Sequence, residues 1–117
     1  MKSDSLLHSF RYAFAGVAHA LRTQRNMKTH AAITTAVIVA GVVLRVSLTE
    51  WAVLIVTIGL VWQAELMNTA LEAVVDKASP ELHPLARVAK DCAAGAVVIS
   101  AITAVCVGAV IFLPKVV

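Results

Sequence analysis

The sequence predicts an all-α protein that is integral to a membrane. The chain of 117 residues is 60% hydrophobic and only 15% charged, and its mean hydropathy is +0.86. A soluble domain of this length could not bury so much apolar surface. Three apolar runs are separated by polar or proline-containing breaks, and each predicts a helix that crosses the bilayer. The third has the full length of a span, whereas the first is short unless it extends past Arg45. We therefore expect one domain over 1–117, built from a surface helix and three transmembrane helices.

The first predicted element is an amphipathic helix over residues 5–28. Ser3, Asp4 or Ser5 is expected to cap its N-terminus. Apolar residues recur on one face at helical spacing, and basic and polar residues occupy the other face. A basic amphipathic helix directly before a membrane span is expected to lie in the membrane interface with its apolar side down. A helix packed in a globular domain is the alternative.

Three histidines, His8, His19 and His30, recur at equal intervals along this region. Neighbours in this series would lie about 16 Å apart along a helix, which is too far to share a metal ion. The pattern is therefore interpreted as polarity at the level of the lipid headgroups.

The transmembrane helices are predicted at 31–48, 51–76 and 90–113, with a cytoplasmic loop at 77–89. The first is extended past Arg45, whose side chain can reach the headgroups. The second continues directly into an acidic motif, so we expect it to leave the bilayer still helical. The third is uncharged from 92 to 113, and Pro114 is expected to end it.

The basic residues predict the orientation of these helices. All but two of the ten lysines and arginines fall on one side of the three-span arrangement, and the exceptions are Arg45 and Lys115. Basic residues concentrate on the cytoplasmic side of membrane proteins. The N-terminus, the acidic motif and the loop at 77–89 are therefore expected to face the cytoplasm.

The acidic motif, ELMNTALEAVVD at residues 65–76, carries four polar residues on one helical face. At about 100° per residue they fall within an arc of roughly 80°; we call them the acidic stripe: Glu65, Asn68, Glu72 and Asp76. Carboxylates stacked in this way repel one another unless a positive group lies nearby. Oxygen ligands of this kind suit Mg2+, which commonly binds substrate phosphates alongside one or two carboxylates.

A carboxylate stripe, an amide and nearby basic residues are the parts that phosphoryl transfer needs. The sequence contains no glycine-rich phosphate loop, no protein-kinase motif and no zinc-ligand spacing. It also lacks the interleaved aromatic and basic residues that bind nucleic acid. From the residues alone, a membrane phosphotransferase, a small proton-coupled transporter and a non-catalytic helical membrane protein all remain open.

The segments ELMNTALEAVVD and HPLARVAKD together resemble the signature of the prokaryotic diacylglycerol kinase family, which consists of small membrane lipid kinases. The pattern E-x-x-N-x-x-x-E-x-x-x-D, followed by K-D, is matched without a gap. The segment RTQRNMKTH resembles the family's E-R-N-x-x-x-H segment. The residues EW before the second span and IFLPK at the C-terminus look like the Gram-positive branch, which phosphorylates undecaprenol. The resemblance covers about residues 8–115.

This resemblance implies an ATP- and Mg2+-dependent kinase in the bacterial inner membrane, and the family forms homotrimers with sites shared between subunits. It implies that Glu65 is the catalytic base, that Glu72 binds the metal, and that Asn68 and Asp76 support the site. The implied nucleotide contacts are Arg11, Tyr12, Glu72, Glu81, Leu82, His83, Lys90 and Asp91. The family's second metal-binding glutamate falls on Gln24, which lacks the charge; the helix is expected to unwind near Arg22 and turn this amide toward the stripe.

Overall fold

A computed structural model describes residues 5–81 and 83–117, and the described chain contains four helices and no strand. Three of the helices, α2, α3 and α4, are long and apolar enough to cross a membrane. The predicted all-α class with three membrane spans is therefore confirmed. The helices in chain order are α1 (Leu6–Thr23), α2 (Arg25–Val43), α3 (Leu48–Ala78) and α4 (Pro84–Val116).

Helix α1 begins at a side-chain cap and ends earlier than the sequence predicted. Ser5 caps it by accepting a hydrogen bond from the backbone N–H of His8. The expected helix over 5–28 stops at Thr23, because Gln24 is extended at φ −105° and ψ 119° and the next helix starts at once. The Thr23 hydroxyl donates to the carbonyl of His19 at 2.8 Å, a bond of the kind that bends helices.

The turn between α2 and α3 replaces the expected extension of the first span to residue 48. Arg45 adopts a left-handed φ of 55°, and the N–H of Val46 donates to the carbonyl of Gly41 at 3.1 Å. This pattern is a Schellman motif, which ends a helix by satisfying its last carbonyls. Ser47 and Glu50 then form a reciprocal capping box that starts α3. The second span therefore begins at Leu48, three residues before the expected residue 51.

Helix α4 extends beyond both of its predicted ends. It starts at Pro84, before the expected residue 90, because proline is favoured in the first turn of a helix, where its missing N–H is not needed. The expectation that Pro114 ends the helix is wrong, since α4 continues to Val116. A proline this close to the end forfeits one hydrogen bond while its fixed φ remains helical. Lys115 in the same turn donates to Glu50 at 2.8 Å.

Helix α3 is the centre of the fold and contacts each of the other helices. At one end of the molecule, Val46, Leu54 and Ile111 form a small buried cluster, and the ion pair of Glu50 and Lys115 lies beside it. The opposite end carries the acidic stripe. The 31 residues of α3 span about 46 Å, against about 30 Å for the bilayer core. The striped end is therefore long enough to emerge from the membrane as an intact helix.

Candidate active site

The acidic stripe passes from a buried to an exposed environment along α3. Glu65 is only 2% exposed, Asn68 and Glu72 are half-buried, and Asp76 is exposed. The helix geometry holds the four side chains at successive depths because they recur at intervals of three or four residues. Each of them therefore meets a different partner.

Glu65 pairs with a residue of the neighbouring helix. The Nε2 atom of His30 in α2 lies 2.8 Å from Glu65 Oε1, and the side chains are 18% and 3% exposed. The interpretation of His30 as headgroup-level polarity is therefore wrong. The break at Gln24 starts a new helix, and His30 falls in its second turn, on the face that packs against α3.

Asn68 and Glu72 form the next pair of the stripe. The amide nitrogen of Asn68 donates to Glu72 Oε1 at 3.2 Å. Its oxygen, Oδ1, is the only side-chain polar atom in residues 5–81 and 83–117 that is fully buried without a partner. Leaving an acceptor in this state costs about 1–3 kcal/mol, so a positive ligand would stabilise it.

The oxygen atoms of this pair are chemically suited to Mg2+. The described chain contains no cluster of three or more His, Cys, Asp or Glu residues that could enclose a metal ion. Mg2+ does not require such a cage, because it usually retains waters and binds through one or two carboxylates and substrate phosphates. The carboxylate of Glu72 and the unpartnered oxygen of Asn68 therefore fit this ion.

The exposed end of the stripe meets the start of α4. Lys90 donates to Asp76 Oδ1 at 2.6 Å, and one turn along α4 Arg87 lies 3.5 Å from Asp91. Two of the predicted nucleotide contacts therefore lie at this end of the stripe. Lys90 contacts Asp76 directly, and Asp91 is the next residue along the chain. Their charges make this end suitable for a phosphate-bearing ligand with a bound cation.

The loop between α3 and α4 holds three more predicted nucleotide contacts. The Ser79 hydroxyl donates to the carbonyl of Glu81 at 2.6 Å, and His83 accepts from the N–H of Leu85 at 3.0 Å as the cap of α4. Glu81 and His83 line an open cavity of about 450 Å³. Leu82 lies outside the described residues.

A larger, mainly apolar cavity of about 740 Å³ lies between α3 and α4. It extends from Thr103 in α4 to Leu71 and to Asn68 of the stripe. A ligand that combines an apolar chain with a polar end matches this distribution of side chains.

The sequence that forms this arrangement matches a known protein family. The family model described as prokaryotic diacylglycerol kinase matches residues 11–112, which is most of the chain. The chain belongs to the prokaryotic diacylglycerol kinase family. The resemblance drawn from the stripe and the K-D motif is therefore confirmed, and the membership makes this a lipid kinase by family.

Curated relatives carry two different substrate names. A diacylglycerol kinase of Synechocystis sp. is 50% identical over 113 residues, which cover 96% of this chain and 65% of that protein. An undecaprenol kinase of Bacillus subtilis is 43% identical over 107 residues, or 92% and 87% of the two chains. A diacylglycerol kinase of Pseudomonas aeruginosa is 35% identical over 86 residues, or 74% and 70%. The chain thus spans slightly less than two thirds of the Synechocystis protein but most of the Bacillus one.

The N-terminal site residues are not joined to the stripe within one chain. Arg11 and Tyr12 are exposed on α1, and among the described residues neither makes a hydrogen bond or ion pair with α3. Gln24 is half-buried at the break between α1 and α2, and its backbone N–H donates to Ala20. Among the described residues, the Gln24 side chain likewise makes no hydrogen bond to Glu72.

His30 is a site residue that the sequence patterns did not predict. The regular spacing of the three histidines indicated one shared helical face, whereas His8 and His19 lie on α1 and His30 lies on α2. A signal for His30 was present, because it is the last residue of RTQRNMKTH, the segment that resembles the family's E-R-N-x-x-x-H pattern. Only the packing of α2 on α3 shows which partner the imidazole has.

Proposed function

We propose that the protein catalyses the ATP- and Mg2+-dependent phosphorylation of a lipid alcohol, undecaprenol or diacylglycerol, at the cytoplasmic face of the bacterial inner membrane. The observation that carries this proposal is the buried, His-paired carboxylate of Glu65 on a transmembrane helix that continues as an acidic stripe. A base that is buried on a transmembrane helix suits a hydroxyl that is attached to a membrane lipid, since a lipid cannot present that group far from the membrane interface.

In this proposal Glu65 removes the proton of the lipid hydroxyl. The alcohol oxygen forms a bond to the γ-phosphorus of ATP, and the bond to the bridging oxygen breaks with its electron pair left on ADP. Proton removal by a positioned carboxylate contributes about 100- to 10,000-fold to such a rate. The burial of Glu65 supports the assignment, because few waters compete there for the substrate hydroxyl.

Glu72 and Asn68 would hold the metal, with Gln24 proposed as a third ligand that is neutral like Asn68. Bound Mg2+ supplies charge that offsets the phosphate oxygens and orients the transferred group. The unpartnered Asn68 oxygen beside Glu72 supports this assignment. Asp76 orients Lys90 through their 2.6 Å contact.

The remaining assignments concern the nucleotide. We propose that Lys90, Asp91, Glu81 and His83 contact ATP where the start of α4 and the preceding loop adjoin the stripe. Arg11 and Tyr12 are proposed to complete the site from the surface helix, and Leu82 belongs to the same proposed set.

A homotrimer is proposed as the working assembly. The membrane-spanning helices expose large apolar side chains, Val98, Ile102 and Val105 on α4 among them, which lipid or another subunit must cover. The separation of Arg11 and Tyr12 from the stripe of the same chain supports sites completed between subunits. Light scattering of the protein in detergent should give the mass of three chains, and a monomer mass in the active preparation would contradict this assembly.

Two other functions would differ from a lipid kinase in their use of ATP and in solute transport. A small proton-coupled transporter would move a solute with the proton gradient and without ATP, and a non-catalytic helical protein would do neither. No observation on the stripe favours them, since its polar groups are arranged toward one end of the molecule rather than through it.

The test is a lipid kinase assay with the purified protein in mixed micelles. Undecaprenol, diacylglycerol and a fatty alcohol are each supplied with ATP and Mg2+, and lipid phosphate and ADP are measured together. We expect equal formation of both products, and the ratio of kcat/KM between the acceptors identifies the natural one. Absence of lipid phosphate with every acceptor, from folded protein, would refute the proposed activity.

A further inference from the structure

We propose that His30 is a positioning residue for the catalytic base, holding the Glu65 carboxylate by one oxygen so that the other faces the lipid hydroxyl. This inference rests on the proposed function, because it assigns His30 a part in the same proton transfer. Nothing in the stripe motif itself includes this histidine, which lies on a different helix.

The first support is the inequality of the two carboxylate oxygens. Oε1 lies 2.8 Å from His30 Nε2, and in the described chain Oε2 has no hydrogen-bond partner. Oε2 is not fully buried, because Asn68 Oδ1 is the one fully buried side-chain nitrogen or oxygen without a partner in residues 5–81 and 83–117. One oxygen is thus anchored, and the other is neither hydrogen-bonded nor fully enclosed.

The second support is that α2 is held in register against α3 at this point. One turn beyond His30, the Thr34 hydroxyl accepts a hydrogen bond from Trp62 Nε1 at 2.9 Å. The two contacts join residues four apart on α2 to residues three apart on α3, so they lie on one helical interface. The imidazole is therefore presented to Glu65 by rigid elements rather than by a loop, as precise positioning requires.

The third support is the surroundings of the imidazole. His30 lines an apolar cavity of about 280 Å³ between α2, α3 and α4, with Val61 and Phe112 among the other lining residues. A carboxylate or imidazole in apolar surroundings is costly unless it is hydrogen-bonded. Each group supplies the other's partner, which accounts for their joint burial.

The chemistry requires only a donor at this position. When Glu65 is ionised, the N–H group at His30 Nε2 donates a hydrogen bond to Oε1. During transfer, the substrate proton moves to Oε2 of Glu65, and the N–H bond of His30 stays intact. A side chain that places a neutral N–H at the same point should therefore replace histidine, whereas one without a donor should not.

The test compares three substitutions at one position. Gln places its amide nitrogen as many bonds from Cβ as His Nε2, whereas Asn ends at the position of Nδ1. We expect His30→Leu and His30→Asn to lower kcat about 10- to 100-fold, the range for one hydrogen bond to a charged group, with little change in the KM for ATP. His30→Gln should retain most of the activity.

Two further variants separate positioning from stability. Thr35→Val alters a neighbouring position of α2 whose hydroxyl donates only to Ala31 of the same helix, so its kcat should stay close to the native value. In a Glu65→Gln background, His30→Leu should cause no additional loss, because residues that act as one unit are not additive. The inference is overturned if His30→Leu keeps native kcat, if His30→Gln falls as far as His30→Leu, or if the losses at His30 and Glu65 add.

A readout that does not use kinase activity keeps this inference separate from the proposed function. Hydrophobic carbodiimides react with carboxyl oxygens in apolar surroundings, and loss of the His30 donor frees Oε1 of Glu65 for that reaction. Labelling of Glu65, followed by mass spectrometry, should be faster in His30→Leu than in the native chain or in His30→Gln. Equal labelling in all three would overturn the His30 assignment, whether or not any lipid is phosphorylated.

Discussion

The three carboxylates of the stripe have similar chemistry but lie in different environments, because they lie at different depths along α3. Glu65 is buried and paired with His30, Glu72 is half-buried beside Asn68, and Asp76 is exposed and paired with Lys90. Exposed ion pairs contribute little to stability, so we propose that the contact of Asp76 serves mainly to orient the lysine. The buried pair is the one whose loss should affect chemistry most.

Glu65→Gln should lower kcat about 100- to 10,000-fold, because the amide cannot accept the hydroxyl proton. The substitution preserves the size of the side chain, so the folded protein should remain obtainable in detergent. Lipid phosphate formation at saturating ATP and lipid measures the effect.

Glu50→Gln is the matched control for this variant. It makes the same chemical change at the other end of α3, where Glu50 caps the helix and pairs with Lys115. We expect lower thermal stability and nearly native kcat. Near-native turnover of a well-folded Glu65→Gln protein would remove Glu65 from the role of base.

Gln24→Glu should lower the Mg2+ concentration that gives half-maximal lipid phosphorylation. A carboxylate attracts a hard cation more strongly than a neutral amide oxygen does, and Gln24 lies at the break where the chain enters α2. A titration of activity with Mg2+ at fixed ATP compares the two proteins. Overlapping titration curves would show that Gln24 does not face the metal.

At the scale of elements, the contact between α2 and α3 depends on close approach at one glycine. A Cβ atom added at Gly41 would lie 2.5 Å from Trp51 Cη2 and 2.9 Å from Cζ2, closer than such atoms pack. Gly41 also supplies the carbonyl of the Schellman motif that ends α2. Only glycine at position 41 therefore leaves room for the Trp51 indole to pack against α2.

Gly41→Ala should destabilise the protein by about 1–3 kcal/mol, the usual cost of overpacking. The midpoint of thermal unfolding in detergent reports the change. Gly16→Ala in α1 is the control, since among the described residues only its chain neighbours and the backbone of its own helix lie within 4 Å of the added Cβ. It should be neutral or stabilising by about 0.5–1 kcal/mol. A native unfolding midpoint for Gly41→Ala would contradict the close packing of Trp51.

At the scale of the whole molecule, the two ends differ in charge. The end with the Arg45 turn and the pair of Glu50 and Lys115 carries few basic residues. The other end combines the acidic stripe with Lys77, Arg87 and Lys90 and adjoins the basic helix α1. This asymmetry supports the proposed orientation, with the site on the side where ATP is available.

Cysteine labelling in intact cells tests that orientation. After Cys92 and Cys106 are replaced by Ala, Ser79→Cys should react with an impermeant thiol reagent only once the membrane is opened. Thr49→Cys should react without opening. The reverse pattern would place the stripe on the side without ATP and contradict the proposed kinase topology.

The sequence by itself determined the class of the fold and the identity of the stripe. Hydropathy predicts three spans because burial in a bilayer demands long apolar helices, and the 3.6-residue period places Glu65, Asn68, Glu72 and Asp76 on one face whatever surrounds them. The family resemblance rested on those same local patterns. Helix ends were predicted less well, because caps such as Ser47 and the left-handed Arg45 depend on competition between neighbouring turns.

The tertiary structure alone decided which residues meet across helices. His30 and Glu65 are 35 positions apart, and the period of one helix carries no information about the register of another. The unpartnered oxygen of Asn68 and the approach of Gly41 to Trp51 are likewise products of packing. Side-chain partners depend on how helices pack together, and this is why the stripe was visible in the sequence while the partner of its buried carboxylate was not.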